Sequence, residues 1–167
     1  ETLDILMHHS VENDERNVQP NNLSALAIMI DPEFRRENLS PKMIEAMISL
    51  GRKYELKNLL APLRPTLKSS YPELPFVEYI NMKAENGEPC DPWIRVHFRM
   101  GAEIIKVMER SITVEGSVAE WESWTSMKFA ESGEYNVKGA LQPVTIDLKA
   151  DRGFYTEPNL WVCHKIV

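Results

Sequence analysis

The chain has 167 residues, 43% hydrophobic and 26% charged, enough to bury a core and in the size range of one soluble globular domain. Its net charge of −6 argues against a nucleic-acid or membrane-surface role, and no apolar run has the length of a membrane helix or the form of a signal peptide. The two cysteines, Cys90 and Cys163, stand far apart, which argues against a disulfide framework or a zinc site and suits a reducing cytoplasm.

Taken in order, Thr2 to Asn17 has helical spacing, with Leu3, Leu6, Met7 and Val11 on one side and charges on the other. His8 and His9 at its centre read as ordinary helix residues, since no acidic or thiol partner has ligand spacing beside them. Leu23 to Ile30 is a short apolar run without a polar side and predicts a strand buried on both faces. A turn, Asp31-Pro32-Glu33-Phe34, and a basic elbow, Arg35-Arg36-Glu37-Asn38, lead into a helix that runs to about Tyr54. Ser40 suits its N-cap and Pro41 its first helical position. Leu59 to Leu63 is a second buried strand, so this order predicts a parallel pair joined by a crossover helix.

Thr66 to Pro92 is irregular, rich in proline and aromatics, with a short helix expected near Pro75 to Met82. Asp91-Pro92 opens another helix, with Asp91 as N-cap and Trp93, Val96, His97 and Met100 on one face. Gly101 ends it. Ala102 to Val114 reads as a long strand with a break at Glu109-Arg110, and Val118 to Thr125 as a short helix carrying Trp121 and Trp124. Val144 to Leu148 and Leu160 to Val167 are expected strands, separated by a turn at Asp151-Arg152-Gly153. The whole predicts an α/β layer, α+β by some schemes, whose parallel β-α-β core acquires antiparallel C-terminal strands and is flanked by helices.

The elbow is where chemistry is expected. A strand ends there and a helix begins, whose first N–H groups lack intrahelical partners and whose dipole favours an anion. Arg35 and Arg36 can add charge-assisted bonds to phosphate. On spacing alone, an ordinary helix start with two solvated arginines is the commoner reading. The glycines of a Walker loop or a dinucleotide fingerprint are absent.

The run from Ile30 to Pro65 resembles the acetyl-CoA-binding segment of the GNAT acyltransferase superfamily, in which Arg/Gln-x-x-Gly-x-Gly/Ala joins a strand to an amphipathic helix. Arg35 opens that motif, Asn38 stands at its first glycine and Ser40 at its second small residue. Downstream, Val96 to Val107 resembles the family's Leu-Tyr-x-x-Leu-Gly-Phe segment, with His97 at the tyrosine, Gly101 at the glycine and Ala102 at the phenylalanine. The likeness covers Leu23 to Val107, and its two segments fall in the right order.

The resemblance implies a single GNAT-like domain over residues 1–167 that lacks the usual N-terminal strands, with a preceding segment or a second copy of the chain completing the sheet. It implies an acyl-CoA-dependent N-acyltransferase that uses acetyl-CoA or another acyl-CoA as co-substrate, needs no metal, and acts on a small-molecule or peptide amine. Ile28, Met29 and Ile30 would offer backbone groups to the acyl-pantetheine arm. Arg35, Arg36, Glu37, Asn38, Leu39 and Ser40 would cradle the pyrophosphate. His97 would stand near the thioester sulfur, where an imidazole can serve as general acid. Glu78, Glu120 and Glu122 are the carboxylates available as a base. The substitutions at Asn38 and His97 also suit a domain that has lost catalysis and binds a CoA-type ligand or a protein partner. The acyl acceptor is expected to be chosen by the Thr66–Pro92 segment and the C-terminal strands.

Other chemistries fit less well. Cys90 precedes a helix but has no Cys–His–Asn/Asp spacing. Trp121 and Trp124 lie three apart, which favours one packed helix face over a sugar platform. Glu120 and Glu122 cannot face one another as a glycosidase pair does.

Overall fold

The sheet is organised around its last strand. In the computed structural model, which describes residues 3–34 and 37–166, β6 (Arg152–Lys165) is buried along most of its 14 residues. One edge of β6 pairs antiparallel with β3 (Glu103–Gly116), from Glu103 opposite Cys163 to Gly116 opposite Gly153. Its other edge is shared. β2 (Asn58–Leu63) pairs with Leu160 to Lys165, and β5 (Val144–Asp147) pairs with Arg152 to Phe154. On this side β6 is therefore left without a strand neighbour over Tyr155 to Asn159 among the described residues. β1 (Asn22–Ser24) lies parallel to β2, and β4 (Gly133–Tyr135) closes the other end against β5.

The helices are α1 (Leu3–Glu15), α2 (Leu39–Lys53), α3 (Phe76–Asn81), α4 (Pro92–Arg99) and α5 (Val118–Thr125). Residues in β2 alternate between half-buried and buried, so Leu59, Ala61 and Leu63 share one face. Helices pack on that face. Ile44 of α2 meets Leu59 and Ile166, while Phe76 of α3 and Ile94 of α4 meet Ala61, Leu63 and Leu160. A separate cluster of Trp121, Phe129, Val144, Ile146 and Tyr155 holds α5 to the β4–β5 end. Two glycines permit the closest approaches. A Cβ on Gly51 would stand 2.3 Å from Ile166 Cδ1, and one on Gly153 would stand 2.0 Å from Trp121 Cδ1. No described helix is long and apolar enough to cross a membrane.

The mixed sheet and the parallel β1–α2–β2 unit agree with the expectation from sequence, as does the break in β3, where the register shifts between Met108 and Ile112. Three expectations need correction. The first strand ends at Ser24, not Ile30, because the chain turns away from β2 after the bond from Ala25 N to Leu60 O. Asn38 rather than Ser40 stands at the N-cap position of the second helix, and Pro41 is its third residue rather than its first, still within the turn whose N–H groups have no intrahelical partner. The last strand begins at Arg152, eight residues before Leu160. Its first half does alternate in burial, but the buried positions carry Gly153, Tyr155 and Glu157 rather than aliphatic residues and Pro158 follows, so the residue types show no apolar alternation.

Candidate functional site

Where residues 25–30 leave β2, the two segments splay and open a cleft of about 700 Å³. Ala25 to Ile30 form one wall, and Leu59 with Ala61 to Arg64 the other. Ser40 of α2 lies at the cleft, Trp93 and His97 of α4 line it, and Ile112, Glu157 and Asn159 complete it from β3 and β6. A strand that separates from its parallel neighbour leaves main-chain groups with no ladder partner, and an extended ligand can take them as an added strand would. Ile28 packs partly into the Ile44 cluster, whereas Met29 is 89% exposed beside it.

The elbow lies between this wall and α2. The Asp31 carboxylate accepts from Glu33 N at 2.9 Å and holds the short 3₁₀ turn Pro32–Phe34. Arg35 and Arg36 lie outside the described residues. Glu37 is exposed. Asn38 has φ 55° and ψ 38°, the left-handed conformation that glycine adopts most freely, and its side chain makes no capping bond to α2. Asparagine tolerates this geometry better than most residues, so the chain makes a glycine-type turn here without glycine. Leu39 and Ser40 begin the helix, half-buried, and their N–H groups belong to the first turn that intrahelical bonds do not satisfy.

His97 is positioned by the N-terminus of its helix. Asp91 Oδ1 accepts from Trp93 N and Ile94 N, and its Oδ2 accepts from Leu67 N and from the Tyr79 hydroxyl at 2.8 Å. This buried carboxylate ties the irregular segment, α3 and α4 together. One turn on, His97 is 2% exposed and meets Trp93 edge to face at 4.4 Å. Its Nδ1 lies 2.8 Å from Nε2 of His164 on β6, and its Nε2 has no hydrogen-bond partner among the described residues. Burial, with the neighbouring ring's charge, lowers the pKa of His97 to about 3. Burial also lowers that of His164, against an opposing hydrogen-bond contribution from the Met100 backbone. Near neutral pH both rings are uncharged.

The opposite end of the cleft is polar. Glu157 Oε1 accepts from Arg64 Nε at 2.9 Å, and its Oε2 accepts from the Tyr155 hydroxyl at 2.9 Å. That hydroxyl also accepts from Leu141 N, and burial raises its pKa. These residues stand in the interval of β6 where β2 has ended and β5 has not begun.

None of the carboxylates available from sequence lines the cleft. Glu78 is exposed on α3, Glu120 closes a capping box with Ser117, and Glu122 pairs with Lys128. Glu157 reaches the site and was missed because its part of the strand was read as a turn and a connection; His164 lay in the expected last strand, but its contact with His97 joins residues 67 apart in sequence. The Trp pair is a T-shaped contact at 5.3 Å with Trp121 buried and Trp124 exposed. Cys90 and Cys163 are both free thiols. Among the described residues no three His, Cys, Asp or Glu side chains form a metal-sized cluster.

No family model matches the sequence. Over 165 residues it is 33% identical to the arginine N-acetyltransferase avaD of Aspergillus versicolor, covering 88% of this chain and 57% of that protein. The fold is similar to the loading GNATL domain of CurA from Lyngbya majuscula, with a TM-score of 0.56 and 19% identity over 89% of this chain and 57% of that one. It is also similar to the GphF GNAT-like decarboxylase in complex with isobutyryl-CoA, with a TM-score of 0.53 and 15% identity over 90% of this chain and 58% of that one. The chain thus spans a little over half the length of each of these three proteins. With its mixed sheet and its parallel β1–α2–β2 unit splayed at the cleft, the chain has a GNAT-like fold.

Proposed function

We propose that the protein transfers an acyl group, acetyl in the first instance, from acyl-CoA to an amine. The observation that carries this reading is the cleft between residues 25–30 and β2, with a left-handed elbow at Asn38 beside it and a buried histidine on its wall. The likeness to an arginine N-acetyltransferase supports the reaction and makes arginine the first acceptor to test. The complex of the GNAT-like neighbour with isobutyryl-CoA supports the co-substrate class.

In this reading the backbone of Ile28, Met29 and Ile30 receives the pantetheine arm. The elbow from Arg35 through Ser40, Glu37 and Leu39 included, receives the pyrophosphate at the start of α2. His97 is the catalytic side chain. The amine nitrogen attacks the thioester carbonyl, the C–N bond forms as the C–S bond breaks, and the proton lost by nitrogen balances the one gained by the CoA thiolate. Alignment of the two reactants in one cleft supplies most of the acceleration. The apolar lip at Leu26 and Met29 gives an acyl chain a surface to lie on.

Calorimetry of the full-length protein with acetyl-CoA should show saturable binding at one site. Thiol release with arginine and a panel of primary amines should show turnover. Absence of acyl-CoA binding overturns the reading. Binding without turnover on every amine leaves a CoA-binding domain without transferase activity.

A further inference from the structure

At the polar end of the cleft the acceptors are fixed and the donor is not. Glu157 is 6% exposed, and its Oε2 is held by the buried Tyr155 hydroxyl. Gly139 stands in a turn with φ 87°, a conformation that suits glycine. Two residues on, the same loop is held from both sides. Leu141 N donates to the Tyr155 hydroxyl, and Leu141 O accepts from the buried Lys68 ammonium. Glu157 Oε1 and Gly139 O are thus two acceptors from separate elements, each set in place by its own surroundings. One edge of the Arg64 guanidinium meets both, with Nε 2.9 Å from Glu157 Oε1 and Nη2 2.6 Å from Gly139 O. Two N–H groups on one planar edge, aimed at two preset acceptors, is a fork that a guanidinium fills and an ammonium does not. Arg64 itself is not held in this way. Its side chain is 46% exposed and can turn to water. When it leaves, a buried carboxylate that lines the cleft loses its counter-ion, and the seat attracts another cation.

We propose that Glu157 and the Gly139 carbonyl form a seat for the guanidinium of the acceptor substrate, and that Arg64 is its resident occupant, displaced when the acceptor binds. The inference rests on the transferase reading and narrows the acceptor to a molecule that carries a guanidinium. Glu157 then determines specificity. Arg64 is an intramolecular competitor: it neutralises the carboxylate while the cleft is empty, and an acceptor must fill both of its bonds to replace it. A lone ammonium, with no planar edge, replaces it poorly.

Arg64→Ala empties the seat and gives the test. With no CoA present, methylguanidinium should raise the melting temperature of this variant of the full-length protein, and methylammonium at equal concentration should raise it less. The wild type, its seat filled, should respond little to either. In Arg64→Ala/Glu157→Gln the rescue by methylguanidinium should be lost. Calorimetric titration with L-arginine should show binding about threefold tighter in Arg64→Ala than in the wild type, since a half-exposed ion pair no longer competes. Glu157→Gln, which keeps an acceptor for Tyr155 but loses the charge, should bind arginine about tenfold or more weakly. Acetyl-CoA affinity should hold in both variants. Equal response to the two cations, arginine binding that weakens in Arg64→Ala, or arginine binding unchanged in Glu157→Gln overturns the proposal. The rescue needs neither acetyl-CoA nor turnover, so rescue in a protein that binds no acyl-CoA overturns the transferase reading and leaves the guanidinium seat standing.

Discussion

Arg64 Nε stands 2.9 Å from Glu157 Oε1, across the interval where β2 has ended and β5 has yet to meet β6. The pair closes the polar end of the cleft. Arg64 also donates to the Gly139 carbonyl at 2.6 Å, so it links β2 to the loop before β5. Arg64 is half exposed and can turn to water, which limits what the ion pair itself contributes. Tyr155 is different: its hydroxyl is buried and donates only to Glu157.

Glu157→Ala is therefore expected to destabilise the protein by about 1–3 kcal/mol, mainly through the orphaned Tyr155 hydroxyl. Glu157→Gln keeps an acceptor for Tyr155 and should cost less. Urea unfolding of the two variants measures the difference. Equal costs would show that the charge, rather than the acceptor, is what Tyr155 and Arg64 require.

Asn38 gives a prediction at the elbow. Its φ of 55° is accessible to asparagine and glycine but costs about 1–2 kcal/mol for most other residues. Asn38→Gly should leave stability within a few tenths of a kcal/mol and leave acetyl-CoA affinity the same or higher, since it keeps the turn and removes bulk. Asn38→Val should lower both. Calorimetric affinities for acetyl-CoA check this. A valine variant with wild-type affinity would remove the elbow from the site.

Local chemistry explains which parts of the site were legible in the sequence. The start of α4 was readable because Asp91-Pro92 names a cap and a first turn, and both form. The parallel β1–α2–β2 unit was readable because an apolar run, a breaker and an amphipathic stretch follow in order. The splay itself was not. Leu23 to Ile30 is uniformly apolar, and nothing in its residue types says that pairing stops at Ser24 while the chain runs on. The His97–His164 contact joins residues 67 apart in sequence, and no periodicity reports that. Glu157 was hidden because the buried positions before it are Gly153 and Tyr155 and Pro158 follows it, so no aliphatic alternation marks this part of β6 as a strand.

The Asp91 carboxylate should be the most costly polar side chain to remove near the site. Asp91→Ala loses the cap of α4, worth about 1 kcal/mol, and leaves the buried Tyr79 hydroxyl and Leu67 N–H without their acceptor, at about 1–3 kcal/mol each. The effect should reach function as well, because α4 carries Trp93 and His97. Asp91→Ala is expected to lower the urea midpoint and to lower kcat in the fraction that remains folded, whereas Asp91→Asn should fall between it and the wild type.

Buried neutral histidines also predict an acid sensitivity of definite sign. Both His97 and His164 titrate below 6.5 in the folded state, His97 at about 3. Between these values the unfolded chain binds protons that the folded chain refuses, so stability rises with pH there. Above about pH 7.5 neither state protonates these rings, and their contribution is constant. Acidification from pH 6.5 to 5 should therefore cost about 2 kcal/mol through His97, at about 1.4 kcal/mol per pH unit and proton, with a further loss in the same direction through His164. The lowered carboxylates Glu88, Glu120 and Glu122 act mainly below their ordinary value of 4.5, so they do not confuse this window. Urea midpoints between pH 5 and 7.5 should be flat at the upper end and fall at the lower, and His164→Gln should flatten the fall. A midpoint that holds constant down to pH 5 would mean that the two rings accept protons as readily in the fold as out of it, and that they are not buried as a neutral pair.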